Sequence, residues 1–333
     1  MKSTIYFRVD GDDGKKIGLG HVTRCIKIYE ELKKIFKLKY NFIFLMKNFN
    51  EGKDFVKSQT QEKIIIFNNY NLKKKIQFKK DDAMVVDTLG IESSILSQVK
   101  KSNLKKIFCL EETKIRLKKT TIINGIFFFK NIIKDKKSCS IFQSPKYVIL
   151  DKNYEKKKLL TPVSKKINFL VSSGGGDKKN FMFHVCKTLN SIENIKTFVI
   201  IGKAVKKDNP VFKFKNNKNF QFIFNKNNLY NFFARANISF VSGGTVMFES
   251  ICSGTKTLVC QTYDNQKFAI NYFLKKGLIT KIPNFKSIKR YDLLREINLV
   301  IKNKNKDFLF RKQIREIDGK GLLRTVNIIK KKL

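Results

Sequence analysis

A histidine in a glycine-rich turn is the residue of this 333-residue chain best placed to do chemistry. Gly18-Leu19-Gly20-His21 follows an apolar run and precedes a segment with helical periodicity, so it lies at the edge where open α/β sheets bind ligands. The two glycines let the backbone approach a substrate closely, and a neutral imidazole at a helix N-terminus can accept a proton. We therefore expect His21 to be a catalytic base, with Gly18 and Gly20 beside the substrate. The alternative for a single histidine is capping or packing at the helix start, and we expect such a structural role for His184.

Two further glycine-rich turns could hold phosphate groups. The first, Ser172-Ser173-Gly174-Gly175-Gly176-Asp177, follows an apolar run and precedes a helix, where successive glycine N–H groups form an anion-binding nest. This turn matches neither a Walker A loop nor a GxGxxG fingerprint, so it does not indicate nicotinamide binding. It predicts nucleotide contacts from Gly174, Gly175 and Asp177, although Asp177 could instead cap the helix.

The other turn offers a phosphate contact and a ribose contact. Ser242-Gly243-Gly244-Thr245 has the same strand-to-helix position, and Glu249, four residues after Thr245, shares its helical face. A phosphate held at this turn would leave Glu249 able to accept hydrogen bonds from a ribose diol. Asp264-Asn265-Gln266, after the next strand, supplies amide groups that suit sugar hydroxyls. The turns together predict a nucleotide-sugar site, with nucleotide contacts from Gly243, Gly244, Thr245 and Glu249 and sugar contacts from Asn265 and Gln266.

Short apolar runs separated by helix-length polar segments surround these turns. Runs of four to six apolar residues are typical of parallel strands that are covered on both faces. The pattern predicts an α/β fold of two Rossmann-like, doubly wound domains that face a cleft. The predicted strands are residues 5–9, 41–46, 63–67, 83–87, 106–110 and 121–123 in the first domain, and 167–172, 197–201, 220–224, 238–241 and 257–260 in the second.

A polar, lysine-rich segment at residues 151–162 interrupts the alternation of strands and helices. We interpret it as a linker between a first domain at 1–150, which carries the His21 turn, and a second domain at 163–333. The chain is long enough for two cores, at about 150 residues for each domain.

The charge balance allows two interpretations. Lys and Arg number 70 against 27 Asp and Glu, a formal net charge of +43 that would suit a polyanion-binding protein. Only nine of these basic residues are Arg, however, and base-reading proteins depend on Arg for bidentate contacts. We therefore interpret the lysines as solvated surface charge and expect no specific nucleic-acid partner. With 42% apolar residues the chain can bury a core, which excludes a disordered class.

Cysteine spacing limits the cofactors that the protein could bind, and hydropathy limits where in the cell it could be located. The six cysteines show no CxxC spacing and the chain has two histidines, so we expect no metal site and no cofactor. Cysteines in apolar surroundings indicate a reducing compartment. No apolar stretch approaches about 18 residues, and the first residues contain no signal-peptide core, so we expect a cytoplasmic protein without a transmembrane segment.

Several of these motifs match a known family. Across these motifs the chain resembles the UDP-2,4-diacetamido-2,4,6-trideoxy-β-L-altropyranose hydrolases of pseudaminic acid biosynthesis. These hydrolases are relatives of the peptidoglycan N-acetylglucosaminyltransferase, which has a two-domain GT-B fold. The chain differs from the family at Thr88-Leu89, Glu111-Glu112 and Ser144, where the family has His-Tyr, Asp-Asp and Gly. The matching segments are Arg8-Val9-Asp10, Gly18-Leu19-Gly20-His21-Val22-Thr23-Arg24-Cys25, Val85-Val86-Asp87, Pro145-x-Tyr147, Gly174-Gly175-x-Asp177, Gly243-Gly244-Thr245 with Glu249, and Asn265-Gln266.

The resemblance implies hydrolysis of a UDP-linked deoxy-diacetamido sugar at C1, with release of UDP and free sugar. Because the departing diphosphate is already a stable anion, a water-activating base matters more than a general acid, and His21 would be that base without a metal. The first domain would face the sugar and the second would bind UDP, in a protein that we expect to be a monomer. The implied sugar-binding residues are Asp10, Gly18, Gly20, Arg24, Asp87, Asn265 and Gln266, and Asp10 could also orient the imidazole.

Two other functions stay open at this point. A glycosyltransferase on the same fold would use His21 to deprotonate an acceptor hydroxyl instead of water, and it would share the nucleotide site. A polyanion-binding protein would use the +43 charge and would bind nucleic acid with a steep salt dependence. Release of free sugar without any acceptor would favour the hydrolase over both.

Overall fold

The structure is a computed structural model that describes residues 2–12, 18–67, 76–88, 95, 99, 101–102, 104, 106–110, 120–125, 139–155, 166–177, 179–224, 229–302 and 306–333. The chain forms two compact units. The first contains Met1–Ile149 together with Gly321–Leu333, and the second contains Leu150–Lys320. Each unit is built on one parallel β-sheet, which confirms the predicted fold class.

The first unit has a seven-stranded sheet in the order β3-β2-β1-β4-β5-β6-β7. Because the order reverses between β1 and β4, this pair of strands is the topological switch point, where doubly wound sheets bind ligands. Val9 is paired with Asp87 there, so the loop after β1 begins beside the last residue of β4. The strands are β1 (Ser3–Val9), β2 (Tyr40–Met46), β3 (Lys63–Ile66), β4 (Ala83–Asp87), β5 (Lys106–Leu110), β6 (Thr120–Asn124) and β7 (Ser140–Gln143). Among the described residues, α1 (Gly20–Phe36) follows β1 and α2 (Asn50–Gln59) follows β2.

The second unit has a six-stranded sheet in the order β10-β9-β8-β11-β12-β13, with its switch point between β8 and β11. Its strands are β8 (Ile167–Ser172), β9 (Ile195–Ile201), β10 (Phe220–Phe224), β11 (Ile238–Ser242), β12 (Lys256–Cys260) and β13 (Thr280–Lys281). Its helices are α3 (Phe181–Leu189), α4 (Tyr230–Arg235), α5 (Thr245–Cys252), α6 (Lys267–Lys275), α7 (Arg290–Lys302) and α8 (Lys306–Glu316). The chain then returns to the first unit as α9 (Gly321–Lys332).

Both faces of the first sheet are covered, which explains why its central strands are mostly apolar. Along β1, Ile5 and Phe7 point into one apolar core and Tyr6 points into another. On the first face α1 contributes Cys25 and Tyr29, whose spacing of four residues places them one turn apart. A strand buried on both faces needs no polar alternation, so the sequence shows a continuous apolar run.

The strands that the sequence pattern missed are β7 and β13. Ser140–Gln143 has only two apolar residues, Ile141 and Phe142, neither of them buried, and Thr280–Lys281 has two residues, so neither strand contains a long apolar run. No helix in the described part of the chain combines the length and apolar character needed to cross a bilayer.

The predicted assignment of residues 163–333 to one domain is wrong for the last helix. Leu322, Val326 and Ile329 of α9 pack in the same core as Phe7, within the first unit. Gly321 lies so close to the Val148 carbonyl that a Cβ on it would overlap the oxygen. The sequence of an amphipathic helix does not indicate which of two apolar surfaces the helix will pack on. Of the predicted linker, residues 151–155 belong to the second unit and 156–162 lie outside the described residues.

The docking of α9 predicts a position-dependent loss of stability. Ile329→Ala should lower the unfolding free energy of the first unit by about 2–5 kcal/mol, because Ile329 is fully buried. Leu323→Ala, on the same helix but 48% exposed, should cost less than about 0.5 kcal/mol. Urea denaturation followed by circular dichroism compares the two variants. Equal losses would contradict the packing of α9 on the first unit.

Candidate functional site

His21, Arg24 and Asp87 form a buried cluster at the switch point of the first sheet. His21 Nδ1 lies 2.6 Å from Asp87 Oδ1, and the imidazole is 12% exposed. Arg24 donates from Nε to Asp87 Oδ2 at 2.9 Å and from Nη2 to Asp87 Oδ1 at 3.0 Å. Asp87 is fully buried at the end of β4, and the other two residues lie one turn apart at the start of α1. The cluster holds the imidazole in one orientation.

The hydrogen bonds settle which imidazole nitrogen carries the proton. A carboxylate oxygen only accepts, so the 2.6 Å contact requires that Nδ1 of His21 donate to Asp87. Arg24 Nη2 also lies 2.9 Å from Nδ1, but a protonated Nδ1 cannot accept, so Nη2 donates to Asp87 and not to the imidazole. In the neutral imidazole Nε2 therefore holds the free lone pair. This is the tautomer in which a histidine oriented by a carboxylate acts as a general base.

The charge of Asp87 is maintained in a fully buried position. Burial by itself would raise the pKa of this carboxyl, but Arg24 and His21 outweigh the effect of burial and lower the pKa below its ordinary value. A charged Asp87 is the acceptor that the Nδ1–H group needs. The structure thus gives Arg24 and Asp87, which we predicted to bind the sugar, contacts that position His21.

Asp10 has a different set of partners from the one we predicted. Its Oδ2 accepts from Arg8 Nη2 at 2.5 Å, and its Oδ1 accepts from the Lys47 N–H group at 2.8 Å. The guanidinium of the fully buried Arg8 lies 4.9 Å from the centre of the Phe67 ring. The carboxylate that orients the imidazole is Asp87, whose Oδ1 lies 2.6 Å from Nδ1 of His21. A sugar contact by Asp10 stays a prediction.

The glycine-rich turn before α1 is closed by a buried aspartate. Asp12 accepts from the N–H group of Gly18 at 3.0 Å, and Gly18 has a φ of +72°, in the left-handed region that favours glycine. Gly20, the first residue of α1, is exposed, and α1 begins without a side-chain cap at Leu19. The described turn residues therefore leave the helix start beside His21 accessible to a ligand.

In the second unit, the first of the two glycine-rich turns depends on close backbone contacts. Gly174 has a φ of +86°. Gly202, directly after β9, lies so close that a Cβ on it would overlap the carbonyl oxygens of Gly174 and Gly175. Gly175 itself is exposed, and among the described residues none but its two chain neighbours has an atom within 4 Å of the position that its Cβ would occupy. A ligand can approach Gly175 more closely than any side chain there would allow.

Asp177 stabilises the start of α3. Its carboxylate accepts from the Met182 N–H group at 3.2 Å and from Asn209 Nδ2 at 3.3 Å. Burial raises the pKa of this carboxyl to about 6, against the effect of these hydrogen bonds. Asn180 holds the N-cap position in a left-handed conformation, without a side-chain hydrogen bond to the helix. The described contacts of Asp177 are those of helix capping, the alternative left open by the sequence, and a nucleotide contact stays a prediction.

The two glycine-rich turns of the second unit lie side by side. They follow β8 and β11, the neighbouring strands at the switch point, where Ser172 is paired with Val241. The Ser242 hydroxyl donates to the Ser173 carbonyl at 2.9 Å and joins the two turns directly. The structure therefore brings the predicted nucleotide residues of both turns to one edge of this sheet.

The two glycines of the turn after β11 differ in how much space surrounds them. A Cβ on Gly243 would lie 2.5 Å from Ile270 Cδ1, so α6 can pack here only against glycine. A Cβ on Gly244 would meet no atom closer than 3.8 Å, the distance to Gln266 Nε2. Gly243 is needed for packing, whereas Gly244 leaves open space at the N-terminus of α5.

Gln266 presents its amide nitrogen to this turn. Its Oε1 accepts from the N–H group and the hydroxyl of Thr262 at 2.9 and 3.1 Å, and from the Tyr263 N–H group at 3.3 Å. With the oxygen held by three donors, the orientation of the amide is settled and Nε2 faces Gly244. The side chain of Asn265 lies outside the described residues, so its predicted sugar contact stays a prediction.

Thr245 and Glu249 are both half-buried on α5, as their four-residue spacing predicts. Burial raises the pKa of the Tyr154 phenol well above its ordinary value, and the charge of the nearby Glu249 raises it further. Glu249 therefore lies within electrostatic reach of the buried Tyr154 ring. A ribose contact by Glu249 stays a prediction.

Two buried cysteines are poorly suited to nucleophilic chemistry. Burial raises the pKa of the Cys260 thiol to about 12, and burial followed by the charge of Asp87 raises that of Cys25 well above its ordinary value. Such thiols are poor nucleophiles. Within the described ranges, no three His, Cys, Asp or Glu side chains are grouped so that they could hold a metal ion.

Sequence reasoning missed the residues that shape the turns without touching a ligand. A Cβ on Gly52 in α2 would overlap the carbonyl oxygen of Gly11, just as Gly202 packs on the turn after β8. A glycine inside a helix pattern or directly after a strand is a signal of such close approach. Asp12 and Ser242 each form a hydrogen bond to the backbone of a turn, for which the sequence contains no signal.

Comparison with known proteins supports this fold and gives it a context. The chain is 24% identical over 332 residues to the Bacillus subtilis (strain 168) spore coat polysaccharide biosynthesis protein SpsG, and the match covers 96% of each chain. No family model matches the chain. The sequence similarity therefore runs through both units.

Solved structures match the whole chain at low sequence identity. The glycotransferase of kitacinnamycin superposes with a TM-score of 0.70, at 9% identity and 100% coverage of both chains. The Anabaena protein Alr3699/HepE, solved in complex with UDP-glucose, gives a TM-score of 0.59 at 10% identity, with 99% of this chain and all of that chain covered. With the two parallel-sheet units, these matches show the GT-B fold that we predicted.

The buried charge of Asp87 predicts a pH-dependent effect of its removal. Asp87→Asn should lower the unfolding free energy by about 3–5 kcal/mol near neutral pH, because Arg24 loses its buried partner. Since the folded state lowers the pKa of Asp87, the carboxylate stabilises the fold above the ordinary value of about 3.9, and that stabilisation is lost as the pH falls through the lower folded-state pKa. The difference between wild type and variant should therefore narrow in acid.

Chemical denaturation at a series of pH values measures that difference. Asp81→Asn, at an exposed carboxylate before β4, is the matched control and should show no difference at any pH. A gap between wild type and Asp87→Asn that stays constant into acid would mean that Asp87 is not charged in the folded protein.

Proposed function

We propose that this protein is a UDP-sugar enzyme of polysaccharide biosynthesis that breaks the bond between C1 of the sugar and the diphosphate. His21 would be the base that deprotonates the attacking nucleophile, and the glycine-rich turns of the second unit would hold UDP. The observation that carries the proposal is the imidazole of His21, held by Asp87 in the tautomer that leaves Nε2 free to accept a proton.

The surroundings of His21 suit the charge changes of such a reaction. Arg8 and Arg24 balance Asp10 and Asp87, so the cluster carries no net charge while His21 is neutral. When Nε2 takes the proton of the nucleophile, the oxygen attacks C1 and the C1–O bond to the diphosphate breaks, so that UDP departs as an anion. Asp87 then stabilises the imidazolium through the Nδ1–H hydrogen bond. Attack from the side opposite to the diphosphate inverts the configuration at C1.

The nucleotide half of the proposal is supported by the turns at the switch point of the second sheet. Gly175 is exposed and Gly244 has open space beside it, at the ends of two neighbouring strands. The N–H groups of such turns, together with the N-terminus of α5, are suited to the oxygens of a diphosphate. The UDP-glucose complex of the HepE protein shows that a protein of this fold binds such a ligand.

The identity of the nucleophile separates two candidate reactions. Likeness to the glycotransferase of kitacinnamycin and to a polysaccharide biosynthesis protein favours transfer to an acceptor hydroxyl. The Gly18-Leu19-Gly20-His21 and Arg24-Cys25 motif favours water, through its resemblance to the UDP-sugar hydrolases of pseudaminic acid biosynthesis. The same base and the same nucleotide site would serve both reactions. We propose transfer as the main activity and hydrolysis as the second candidate.

Incubating the pure protein with UDP-glucose, UDP-N-acetylglucosamine and the UDP-diacetamido sugar named above distinguishes the two. Release of UDP that requires an added acceptor identifies a transferase. Release of UDP with an equal amount of free sugar in the absence of any acceptor identifies a hydrolase. No release of UDP from any of the three in either condition would contradict the proposal for these sugars.

Replacement of Gly175 tests the nucleotide site without disturbing the fold. Gly175→Ala adds a methyl group where no described residue other than the two chain neighbours has an atom within 4 Å, so the melting temperature of the free protein should be unchanged. The methyl group should exclude the diphosphate and weaken UDP binding at least about tenfold, a loss of about 1.4 kcal/mol. Calorimetric titration with UDP measures the loss, and GDP and CMP test the choice of nucleotide. An unchanged UDP affinity would remove this turn from the site.

Replacement of His21 tests the base. His21→Asn keeps part of the hydrogen bonding but cannot take up a proton, so turnover should fall about 10²–10⁴-fold while UDP affinity stays nearly constant. His184→Asn, at the other histidine of the chain, is the control and should keep its rate. Near-native turnover in His21→Asn would contradict the catalytic assignment and would indicate that His21 has a structural role at the start of α1.

A further inference from the structure

Four buried residues form a continuous chain of hydrogen bonds under α5. The Ser239 hydroxyl lies 2.5 Å from that of Ser250, which lies 2.6 Å from that of Thr257. Thr257 donates to the carbonyl oxygen of Thr255 at 2.9 Å. Ser239, Ser250 and Thr257 are fully buried, and Thr255 is 2% exposed. The chain connects β12 to β11 and α5, the two elements that flank the turn at Gly243 and Gly244.

The direction of every bond in this chain is determined. A carbonyl oxygen only accepts, so the single proton of the Thr257 hydroxyl is used on Thr255. Ser250 must therefore donate to Thr257, and Ser239 must donate to Ser250. Each hydroxyl has one possible orientation, so the chain acts as an angular restraint and not only as an attraction.

The same carbonyl oxygen connects the chain to α8. Gln313, which is fully buried, donates from Nε2 to the Thr255 carbonyl at 3.2 Å and to the Leu278 carbonyl at 3.3 Å. The Thr255 hydroxyl donates to the carbonyl of Phe233 at the end of α4 at 2.8 Å. Thr255 and the residues bonded to it thus connect three helices of the second unit, α4, α5 and α8, with the strands β11 and β12.

Apolar packing alone would hold α5 less specifically. Val246, Met247, Phe248 and Ile251 are all nearly or fully buried, so apolar side chains point outward from most of the helix circumference. Apolar contacts are non-directional and tolerate a small rotation of the helix, whereas a buried hydroxyl that lost its partner would cost about 1–3 kcal/mol. The hydroxyl of Ser250 therefore defines which side of α5 meets the sheet.

We propose that this hydroxyl chain sets the rotation of α5 and so places the Glu249 carboxylate for the ribose of the bound nucleotide. Thr257 and Ser250 are positioning residues in this account. Glu249 precedes Ser250 on the helix, so a rotation that follows the loss of the Ser250 bond moves the carboxylate directly. The N–H groups at the start of α5 lie nearer the helix axis and move less. The inference rests on the proposed function, since it concerns the same nucleotide site.

The test uses isosteric variants of the whole protein and two ligands, UDP and inorganic pyrophosphate. Thr257→Val removes the hydroxyl but keeps the side-chain shape, and it should weaken UDP binding about tenfold while pyrophosphate affinity changes much less. Thr257→Ser restores the hydroxyl and should restore UDP affinity. Thr197→Val is the matched control, because Thr197 is fully buried in β9 of the same unit and its hydroxyl has no partner among the described residues. It should bind UDP like the wild type.

Ser239→Ala is a second variant that keeps the test decisive if Thr257→Val folds poorly. It removes only the terminal donor, leaves the bond between Ser250 and Thr257, and should give a smaller loss of UDP affinity in the same direction. Calorimetric titration well below the melting temperature measures all affinities on folded protein.

The outcomes separate this inference from the proposed function. Wild-type protein that does not bind UDP would overturn both. If the wild type binds UDP, then equal UDP affinity in Thr257→Val and Thr197→Val would overturn the inference alone. Equal losses of UDP and pyrophosphate in Thr257→Val, or no recovery in Thr257→Ser, would also overturn it, because either result indicates general disruption of the site.

Discussion

The paired charges of Arg24 and Asp87 are the constraint on which the His21 site depends. A fully buried carboxylate is stable here only because Arg24 donates two hydrogen bonds to it and His21 donates a third. The same carboxylate settles the tautomer of His21, so charge burial and base chemistry are two consequences of one arrangement. The switch point of the first sheet makes it possible, because β4 brings Asp87 beside the end of β1, and α1 begins close to that point.

The second unit uses the same sheet geometry for a different purpose. Its glycines divide into those that neighbouring backbone or side chains require, such as Gly202 and Gly243, and those that leave open space, such as Gly175 and Gly244. Only the second kind can serve a ligand directly. The buried hydroxyls under α5 add directional restraint to a helix whose surroundings are otherwise apolar. A preformed anion site needs both features: buried contacts that hold the turns in place, and open space at the turns for the ligand.

The sequence predicted eleven of the thirteen described strands and the order of the glycine-rich turns from local pattern, whereas it pointed to Arg24 and Asp87 only through the family resemblance. Buried parallel strands such as β4 are apolar runs, and glycine-rich turns follow them in the sequence itself. It did not contain the partner of the imidazole: Asp10 is nearer in sequence, but only the pairing of β1 with β4 brings Asp87 to His21. The docking of α9 on the first unit and the chain from Ser239 to Thr257 are likewise products of tertiary contact, which periodicity does not report.

The central claim is that His21 carries its proton on Nδ1 and offers Nε2 as a base. The chain has two histidines, so nuclear magnetic resonance of protein labelled with ¹⁵N-histidine gives two ring spin systems, and His184→Asn leaves the one that belongs to His21. In the neutral ring we expect a protonated Nδ1, an unprotonated Nε2, and an Nδ1 proton signal that disappears in Asp87→Asn. A wild-type spectrum with the proton on Nε2 of His21 would contradict the account.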